Sequence, residues 1–377
     1  MHLTLHLTNK CNMACTYCYV DWNSPQSMDS HMVCKAMDLA VSDGKSSVGI
    51  IFFGGEPLLH KDIICEAMEY GKWKQRQRGC HFHYKVTTNG LLLDDEFMKF
   101  SARENLFIAI SHDGIQEAHD KHRIDREGRG TFERLASKID LLLNYRPYAP
   151  VLMTVNPDTV QHYSDSVKYL YEKGFRYLIC SLNYAAEWPE ESLRILKREY
   201  QKLAEFYLEK TLLEDKFYLS PFEVKISSHI NRHNYCRERC ELGKKQISVG
   251  PDGLIYPCVQ FVGDREYQIG DLDHGINFIK QQSLYQLNEK EKESCRDCAV
   301  KSRCNHYCGC LNRQATGRID LVSPVLCEHE RILLPIADKL AEKLYKRRSA
   351  IFIQKHYNDM FPLLSLIEDT AKGKGSR

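Results

Sequence analysis

Short apolar runs alternate with amphipathic stretches over roughly the first half of the chain, up to residue 185. Several of these runs are continuously apolar and rich in β-branched or aromatic residues, which is typical of strands covered on both faces. The stretches between them repeat apolar residues at helical spacing. We predict six strands, at 3–8, 48–53, 81–87, 106–111, 150–155 and 177–182, and helices at 28–43, 62–78, 131–145 and 161–173.

The order of these elements indicates an α/β fold. Repeated βα units form a parallel sheet with right-handed crossovers. Because six units fall short of the eight that close a full barrel, we expect a partial (β/α)6 barrel that stays open.

The second half of the chain has a different texture. Residues 190–215 predict a long amphipathic helix that bridges out of the barrel, and residues 236–327 are rich in cysteine and turn residues. Such a segment buries little apolar surface by itself, so a cofactor must help to hold it. Residues 328–370 are helical again. We predict three domains: the partial barrel with its bridging helix (1–225), a cysteine-rich domain (226–335) and a C-terminal helical tail (336–377).

The tail carries a basic cluster of Lys346, Arg347 and Arg348, which is either a solvated helix face or a docking surface for an acidic peptide. The chain as a whole is nearly neutral, with 52 basic against 50 acidic residues. It therefore lacks the general field that attracts nucleic acid or an anionic membrane. No apolar run is long enough to span a bilayer, and the first residues do not resemble a signal peptide. We predict a cytoplasmic protein without nucleic-acid or membrane partners.

Sixteen cysteines then carry the main clue to function. In a reducing cytosol, cysteines more often ligate metal or act in redox chemistry than form disulfides. Three of them, Cys11, Cys15 and Cys18, follow the first predicted strand at a C-x3-C-x2-C spacing. Three thiolates can hold three irons of a [4Fe–4S] cluster and leave the fourth iron open to a chelating substrate. An incomplete zinc site or chance clustering are the alternatives, but nothing nearby supplies the fourth zinc ligand.

The triplet, with Tyr17 before its last cysteine, resembles the C-x3-C-x-φ-C signature of the radical S-adenosylmethionine (SAM) superfamily. The run FFGGEP (52–57) resembles the family's GGE motif, and TTNG (87–90) and SHDG (111–114) lie at strand ends that contact SAM in relatives. The run from 111 to 134 is similar to a block of the peptide-modifying branch. The resemblance implies that SAM is bound by Tyr17, Gly54, Gly55, Glu56, Thr88, Asn89, Ser111, Asp113 and Arg123.

The reaction that this resemblance implies begins with an electron from the reduced cluster. SAM is cleaved to methionine and a 5′-deoxyadenosyl radical, which abstracts a hydrogen atom from the substrate while the barrel excludes water. An external low-potential donor of the flavodoxin or ferredoxin type would supply the electron. A rival interpretation, an iron–sulfur electron carrier, is disfavoured because a carrier needs no SAM pocket.

A second cysteine group follows the pattern C-x12-G-x4-C…C-x2-C-x5-C-x3-C-x18-C. It resembles the SPASM domain, which carries auxiliary [4Fe–4S] clusters; taken alone, its second part would also suit a zinc ribbon. Together with Cys236 the pattern supplies eight thiolates, the number that two clusters require. The resemblance assigns Cys236, Cys240, Cys258 and Cys308 to an inner cluster and Cys295, Cys298, Cys304 and Cys327 to an outer one, giving three [4Fe–4S] clusters in all.

Two ambiguities remain at the inner cluster. Cys310 lies two residues after Cys308, so either thiol could be the ligand. If Cys236 does not bind, the inner cluster has an open iron at which a substrate thiolate could coordinate.

SPASM relatives act on peptide or protein side chains. In anaerobic sulfatase maturation an aspartate follows the inner-cluster cysteine and acts as the base, but here Val259 stands in that place, although Asp264 or Glu266 could substitute. The segments YPCVQFVG and CNHYCGCLNRQATG instead resemble maturases that form thioether links in ribosomally synthesised peptides. Carbon–carbon crosslinking is a further alternative. Tyr256, Gln260 and Asp264, beside Cys258, are candidate catalytic residues.

The expected partner is a precursor peptide. Because the first cluster cysteine is residue 11, we expect no leader-binding domain before the barrel. Leader recognition would use the barrel, the SPASM surface, the C-terminal helices or a separate leader-binding protein, unless the substrate is short and needs no leader.

Overall fold

The computed structural model describes residues 2–20, 26–42, 44, 47–232 and 240–375, with side chains as far as residue 369. Six parallel strands form its centre, in the order in which they occur in the chain. They are β1 (His2–Thr8), β2 (Ser47–Gly54), β3 (His81–Thr88), β4 (Phe107–Ser111), β5 (Pro150–Val155) and β6 (Tyr177–Leu182). The predicted α/β class and the six predicted strands are confirmed.

The sheet continues at both edges of this centre. A two-residue strand, β7 (Tyr218–Leu219), pairs with β6, and β8 (Gln246–Val249) pairs in parallel with β1. Three short antiparallel strands complete the order: β9 (Leu254–Tyr256), β10 (Gly270–Asp271) and β11 (Gly275–Ile276). The cysteine-rich segment is therefore joined to the barrel by backbone hydrogen bonds, which the sequence did not predict.

Six helices connect the central strands. They are α1 (Ser30–Val41), α2 (Lys61–Arg78), α3 (Asp95–Glu104), α4 (Gln116–His122), α5 (Phe132–Tyr145) and α6 (Tyr163–Glu172). The four predicted helices correspond to α1, α2, α5 and α6, whereas α3 and α4 were not predicted. A short 3-10 helix, Pro57–His60, precedes α2.

The two faces of the strands differ in polarity. Leu3 and Leu5 of β1 belong to one apolar core with Ala36 of α1 and Ile64 of α2. The intervening side chains, such as Thr4 and His6, lie on the opposite, inner face, because side chains alternate along a strand. The inner face is thus the polar one, and the end of β1 brings it directly to the first cysteine loop.

The remaining helices follow β6 along the chain. They are α7 (Glu190–Leu212), α8 (Ser220–Asn231), α9 (Phe278–Glu289), α10 (Gly309–Thr316), α11 (Pro324–Lys346), α12 (Ala350–Tyr357) and α13 (Phe361–Gly375). Helix α11 packs against α7 and α8. It also runs across the predicted boundary between residues 335 and 336, and both predicted domain boundaries stay predictions. None of the helices in the described ranges has the length and apolar character needed to cross a bilayer.

Candidate active site at the carboxyl ends of the strands

The first cysteine loop is held by the segment that follows α4. Ala14 N donates to Ile124 O at 2.8 Å, and Thr16 N donates to His122 O at 3.0 Å. Arg126 Nε donates to the carbonyl oxygen of Cys11 at 2.8 Å. Because ligands of parallel sheets bind outside the carboxyl ends of the strands, this loop lies at the expected edge.

The three thiols of the loop suit an iron–sulfur cluster. Cys11 and Cys15 are half-buried and Cys18 is exposed. Burial raises the pKa of Cys11 to about 12 and also raises the pKa of Cys15, with the neighbouring thiols adding to both effects. Metal ligation deprotonates a thiol outright, so a bound cluster would reverse these shifts. Three sulfurs on one partly exposed loop are the donor set that such a cluster requires.

The paired glycines after β2 allow a close approach of two backbones. A Cβ at Gly54 would come within 2.5 Å of Thr8 O, and a Cβ at Gly55 would overlap Lys10 O. Gly55 N donates to Thr8 O at 2.7 Å. The contacts of these glycines in the structure are thus with the cysteine loop itself, and contact with SAM stays a prediction.

Glu56 is a buried centre of hydrogen bonds. Its carboxylate accepts from Thr88 Oγ1 at 2.7 Å, Asn89 N at 2.8 Å and Leu58 N at 2.9 Å. Burial nevertheless raises its pKa to about 7, because desolvation outweighs these donors. Asn89 in turn donates to Asn12 Oδ1 at 2.7 Å, and it lies 3.7 Å from Cys11 Sγ. The GGE and TTNG motifs therefore meet beside the first cysteine.

A second polar group lies on the other side of the loop. Tyr17 OH donates to Asp113 Oδ2 at 2.6 Å, and Arg123 Nε lies 3.0 Å from the same oxygen. Thr154 N donates to Asp113 Oδ1 at 3.0 Å. The Asp113–Arg123 pair is buried, with side chains 2% and 8% exposed. Ser111 ends β4 next to this group and is half-buried.

The block that follows SHDG is one hydrogen-bonded unit. His119 Nε2 lies 3.0 Å from Thr131 Oγ1, which donates to Arg123 O at 2.9 Å. Phe132 N donates to Asp120 Oδ1 at 2.9 Å. The motif H-D-x-x-R…G-x-G-T-F thus folds upon itself and presents Arg123 to Asp113.

The inner face of the barrel also contains polar atoms that a ligand could satisfy. His6 Nε2 and Asn156 Nδ2 are buried and have no hydrogen-bond partner among the described residues. Buried polar atoms are normally paired with protein or water, so such exceptions indicate a place for a polar ligand. His6 lies on β1, and Asn156 follows the end of β5. SAM, with its amino acid, ribose and base, suits this face.

Three of the auxiliary cysteines form a compact group. Cys308 Sγ lies 3.3 Å from Cys310 Sγ. A hydrogen bond with Cys310 lowers the pKa of Cys258, and another lowers that of Cys308. The structure therefore brings Cys258 and Cys308 together as predicted, and Cys310 with them. Cys240 is half-buried and begins the turn that leads to β8. Cys236 lies outside the described residues.

Among the four predicted outer ligands, Cys327 lies close enough to the other three to interact with them electrostatically. Burial raises the pKa of Cys327, and the neighbouring Cys295 and Cys298 raise it further. Cys304 likewise has its pKa raised to about 12, first by burial, with Cys327 among the other causes. These contacts define two groups of thiols, 258/308/310 and 295/298/304/327, and a cluster at each group stays a prediction.

The candidate catalytic residues beside Cys258 are occupied by internal contacts. Tyr256 is fully buried, and its hydroxyl donates to Asp252 at 3.4 Å. Gln260 Oε1 accepts from Gln314 Nε2 at 2.5 Å. Asp264 forms an ion pair with Arg313 and accepts from Glu266 N at 3.1 Å. These contacts stabilise the domain, and a catalytic role for any of the three stays a prediction.

Tyr19 is a site residue that the sequence did not single out. Removal of its phenol from water raises its pKa, and the thiols of Cys258, Cys18 and Cys310 raise it further. Tyr19 is still 40% exposed, so it lies at the surface, near both the first cysteine loop and the 258/308/310 group. Its position directly after Cys18 was the available signal.

Comparisons with known proteins agree with this geometry. Residues 5–170 match the radical SAM superfamily, and residues 240–299 match the SPASM iron–sulfur cluster-binding domain. The cysteine-type anaerobic sulfatase-maturating enzyme of Clostridium novyi (strain NT) is 27% identical over 327 residues, 80% of this chain and 85% of the relative. The antilisterial bacteriocin subtilosin biosynthesis protein AlbA of Bacillus subtilis (strain 168) is 23% identical over 330 residues, 82% of this chain and 66% of the relative.

Solved structures show the same fold. One of them is native anSMEcpe with bound AdoMet and Kp18Cys peptide, which superposes with a TM-score of 0.78 at 20% identity. The superposition covers 91% of this chain and 100% of the anSMEcpe chain. The sequence matches, the convergent cysteine groups and the shared fold support one conclusion. Residues 5–170 form a radical SAM domain, residues 240–299 form a SPASM domain, and the chain is an enzyme.

Proposed function

We propose that this enzyme is a peptide maturase that removes hydrogen from a side-chain or backbone carbon of a ribosomally synthesised peptide and joins that carbon to a cysteine sulfur as a thioether. The relative that acts in subtilosin biosynthesis and the structure that holds a peptide beside AdoMet both support a peptide substrate. The resemblance of YPCVQFVG and CNHYCGCLNRQATG to thioether-forming maturases supports the bond.

When bound, the first iron–sulfur cluster and SAM would supply a one-electron reductive cleavage of SAM. This cleavage yields a radical that can take a hydrogen atom from an unactivated carbon. Forming a thioether from a C–H and an S–H group removes two hydrogens. One leaves as an atom and becomes part of 5′-deoxyadenosine. The second would leave as a proton and an electron: the proton would pass to solvent, and an auxiliary cluster held by the cysteines of residues 236–327 would accept the electron.

Residues of the barrel would hold SAM and the first cysteine loop in place for this reaction. Glu56 would accept the ammonium group of SAM, and it already fixes Thr88 and Asn89 at the end of β3 by hydrogen bonds of 2.7 and 2.8 Å. The buried Asp113–Arg123 pair, bridged to Tyr17, would hold the cysteine loop at a constant distance from the strand ends. Tyr19 would shield the space between the first cysteine loop and the 258/308/310 group from water.

The observation that supports this choice of reaction is the ion pair between Asp264 and Arg313. Formylglycine formation needs a base near the inner cluster, and Val259 cannot accept a proton. Asp264 is paired with Arg313, and Glu266 is exposed. A thioether-forming enzyme that binds the substrate thiol as a thiolate has less need of a base at this position.

A second candidate function is formylglycine formation in a sulfatase. It is favoured by the identity of 27% with a cysteine-type sulfatase-maturating enzyme. Carbon–carbon crosslinking of a peptide is a further variant of the same hydrogen abstraction.

The proposal includes three [4Fe–4S] clusters held by Cys11, Cys15 and Cys18, by the inner set and by the outer set. It includes a flavodoxin- or ferredoxin-type donor, a cytoplasmic location and, for substrates with a leader, a separate leader-binding protein. Whether Cys236 completes the inner set or leaves an iron for the substrate thiolate is part of the same test.

The test is an anaerobic reaction with SAM, dithionite and two peptides: a cysteine-rich peptide encoded next to the enzyme, and a sulfatase peptide with its target cysteine. A product that is lighter by two hydrogens and no longer alkylated by iodoacetamide is expected from the first peptide. Loss of sulfur from the second peptide, with gain of a hydrazine-reactive aldehyde, would overturn the thioether proposal in favour of formylglycine.

A further inference from the structure

A buried ion pair lies beside the predicted outer cluster. Lys225 Nζ of α8 and Glu330 Oε1 of α11 are 2.7 Å apart, and their side chains are 3% and 1% exposed. Burying two charges costs desolvation that their attraction repays only with good geometry and further hydrogen bonds, and in some proteins such pairs are retained because they fix a particular arrangement.

The pair holds the two residues that flank Cys304. Lys225 Nζ donates to Arg303 O at 3.3 Å, immediately before the cysteine. Asn305 N, immediately after it, donates to Glu330 Oε1 at 3.2 Å. Cys304 itself is 5% exposed. The backbone on both sides of this thiol is therefore bound to one buried pair.

The same helix presents a second predicted ligand. Cys327 lies three residues before Glu330 on α11, so both side chains project from one face of the helix. Arg303 adds a further tie to α11, since its Nη1 donates to Asp338 Oδ2 at 2.9 Å. The distance between Cys304 and Cys327 is thus fixed through Glu330 rather than through the intervening loop.

A matched pair elsewhere in the molecule offers a control. Glu223, two residues before Lys225 on α8, pairs with Lys355 of α12 at 2.6 Å, with side chains 7% and 8% exposed. Lys355 also donates to Phe217 O. This second pair has the same helix, charges and burial, but its described contacts are with none of the cysteine-bearing segments.

We propose that Lys225 and Glu330 are positioning residues that build the outer auxiliary cluster site by holding Cys304 against Cys327, and that their charges set the reduction potential of that cluster. The inference rests on the proposed assignment of Cys295, Cys298, Cys304 and Cys327 to one cluster. Removing the lysine charge leaves an unpaired carboxylate near the cluster, whereas removing the carboxylate leaves an unpaired ammonium group.

The experiment uses the full chain with Cys11, Cys15 and Cys18 changed to alanine, so that only auxiliary clusters contribute. This parent should hold about eight irons after anaerobic reconstitution, four for each cluster. Redox titration followed by electron paramagnetic resonance should show the potential of one cluster moving down in Lys225→Met and up in Glu330→Gln. The other cluster, and both clusters in Glu223→Gln and Lys355→Met, should keep the parent's potentials.

A double variant, Lys225→Met with Glu330→Leu, tests the positioning role without an unpaired buried charge. It should fold and release about four irons to a chelator severalfold faster than the parent. Parent-like potentials and release rates in all the Lys225 and Glu330 variants would overturn the inference alone. Equal changes in the Glu223 and Lys355 controls would also overturn it. A parent that holds only about four irons would instead overturn the two-cluster assignment and the inference with it.

Discussion

The hydroxyl of Tyr17 donates to Asp113 Oδ2 at 2.6 Å, and this contact joins the first cysteine loop to the end of β4. The two residues are far apart in sequence, and both belong to motifs of the radical SAM family. Arg123 completes the contact by pairing with the same carboxylate oxygen at 3.0 Å. The arrangement fixes the loop between Cys15 and Cys18 on the sheet.

Asp113→Asn should therefore be severely damaging. It leaves Arg123 buried without a counter-charge, and breaking a buried pair costs about 3–5 kcal/mol of the free energy of unfolding. Tyr17→Phe removes one hydrogen bond and should cost about 1 kcal/mol. Anaerobic urea unfolding measures both, and 5′-deoxyadenosine formation should fall at least tenfold in Asp113→Asn. The exposed pair Arg194–Glu190 is the control, and Arg194→Ala should leave the free energy of unfolding close to that of the wild type, because solvent screens an exposed ion pair. Equal stability of Asp113→Asn and Arg194→Ala would contradict this assignment.

The affinity for SAM should depend on the protonation of Glu56. Burial raises the pKa of this carboxyl from 4.5 to about 7, so the group is largely protonated below that pH. If the ammonium group of SAM pairs with the carboxylate, binding favours the charged form. Affinity should then fall by up to about tenfold for each pH unit below 7 and level off above it.

Anaerobic calorimetry of the reconstituted enzyme between pH 6 and 8.5 measures this dependence. Glu56→Gln should bind SAM weakly and with a flat pH profile. A wild-type profile that parallels that of the glutamine variant would show that Glu56 acts only through Thr88 and Asn89.

Gly55→Ala should disrupt the first cluster site. A methyl group there would overlap Lys10 O, and backbone cannot yield as a flexible side chain can. The expected result is loss of about four irons per chain with the auxiliary clusters retained. Gly79→Asn is the control, since a Cβ at Gly79 meets nothing within 4 Å and asparagine tolerates its left-handed backbone. Full iron content in Gly55→Ala would mean that the loop adjusts without cost.

We expect Cys308, rather than Cys310, to be a ligand of the inner cluster. The pKa of Cys308 is lowered by a hydrogen bond with Cys310, whereas the pKa of Cys310 is raised by its hydrogen bonds with Cys258 and Cys308. Because a bound cluster deprotonates its ligands, these shifts do not choose between the two thiols; the C-x5-C-x3-C spacing, which ends at Cys308, predicts Cys308 as the ligand and Cys310 as a thiol beside it. Cys308→Ala should lose the inner cluster, and Cys310→Ala should keep it with an altered resonance spectrum. The opposite result would reassign the ligand to Cys310.

The strands of the barrel could be predicted because their apolar runs are local signals. Burial on both faces makes β2 and β4 nearly continuous in apolar residues, and this is visible without any tertiary information. Helix α4 was missed for the opposite reason. Its buried residues include His119 and His122, whose rings form hydrogen bonds with Thr131 and Thr16. These polar residues do not form the apolar stripe by which a helix is recognised in a sequence.

The site could be predicted as a set of motifs but not as a set of contacts. The resemblance to the SPASM domain, rather than spacing, divided the auxiliary cysteines into two sets, and this division stays a prediction. Nothing local in Gln246–Val249 shows that this four-residue strand pairs with β1, because the pairing is set by long-range packing. The contact between Gly55 and Lys10 is of the same kind, and it gives the GGE glycines a role in backbone packing.

The most direct test of the account is the response of the first cluster to SAM. The reconstituted, dithionite-reduced enzyme should show an electron paramagnetic resonance signal that changes when SAM is added, and 5′-deoxyadenosine should accumulate. The Cys11→Ala, Cys15→Ala, Cys18→Ala variant should lose both responses yet keep about eight irons. A wild-type spectrum indifferent to SAM, with no 5′-deoxyadenosine formed, would contradict the central claim that these three thiolates leave one iron open for SAM.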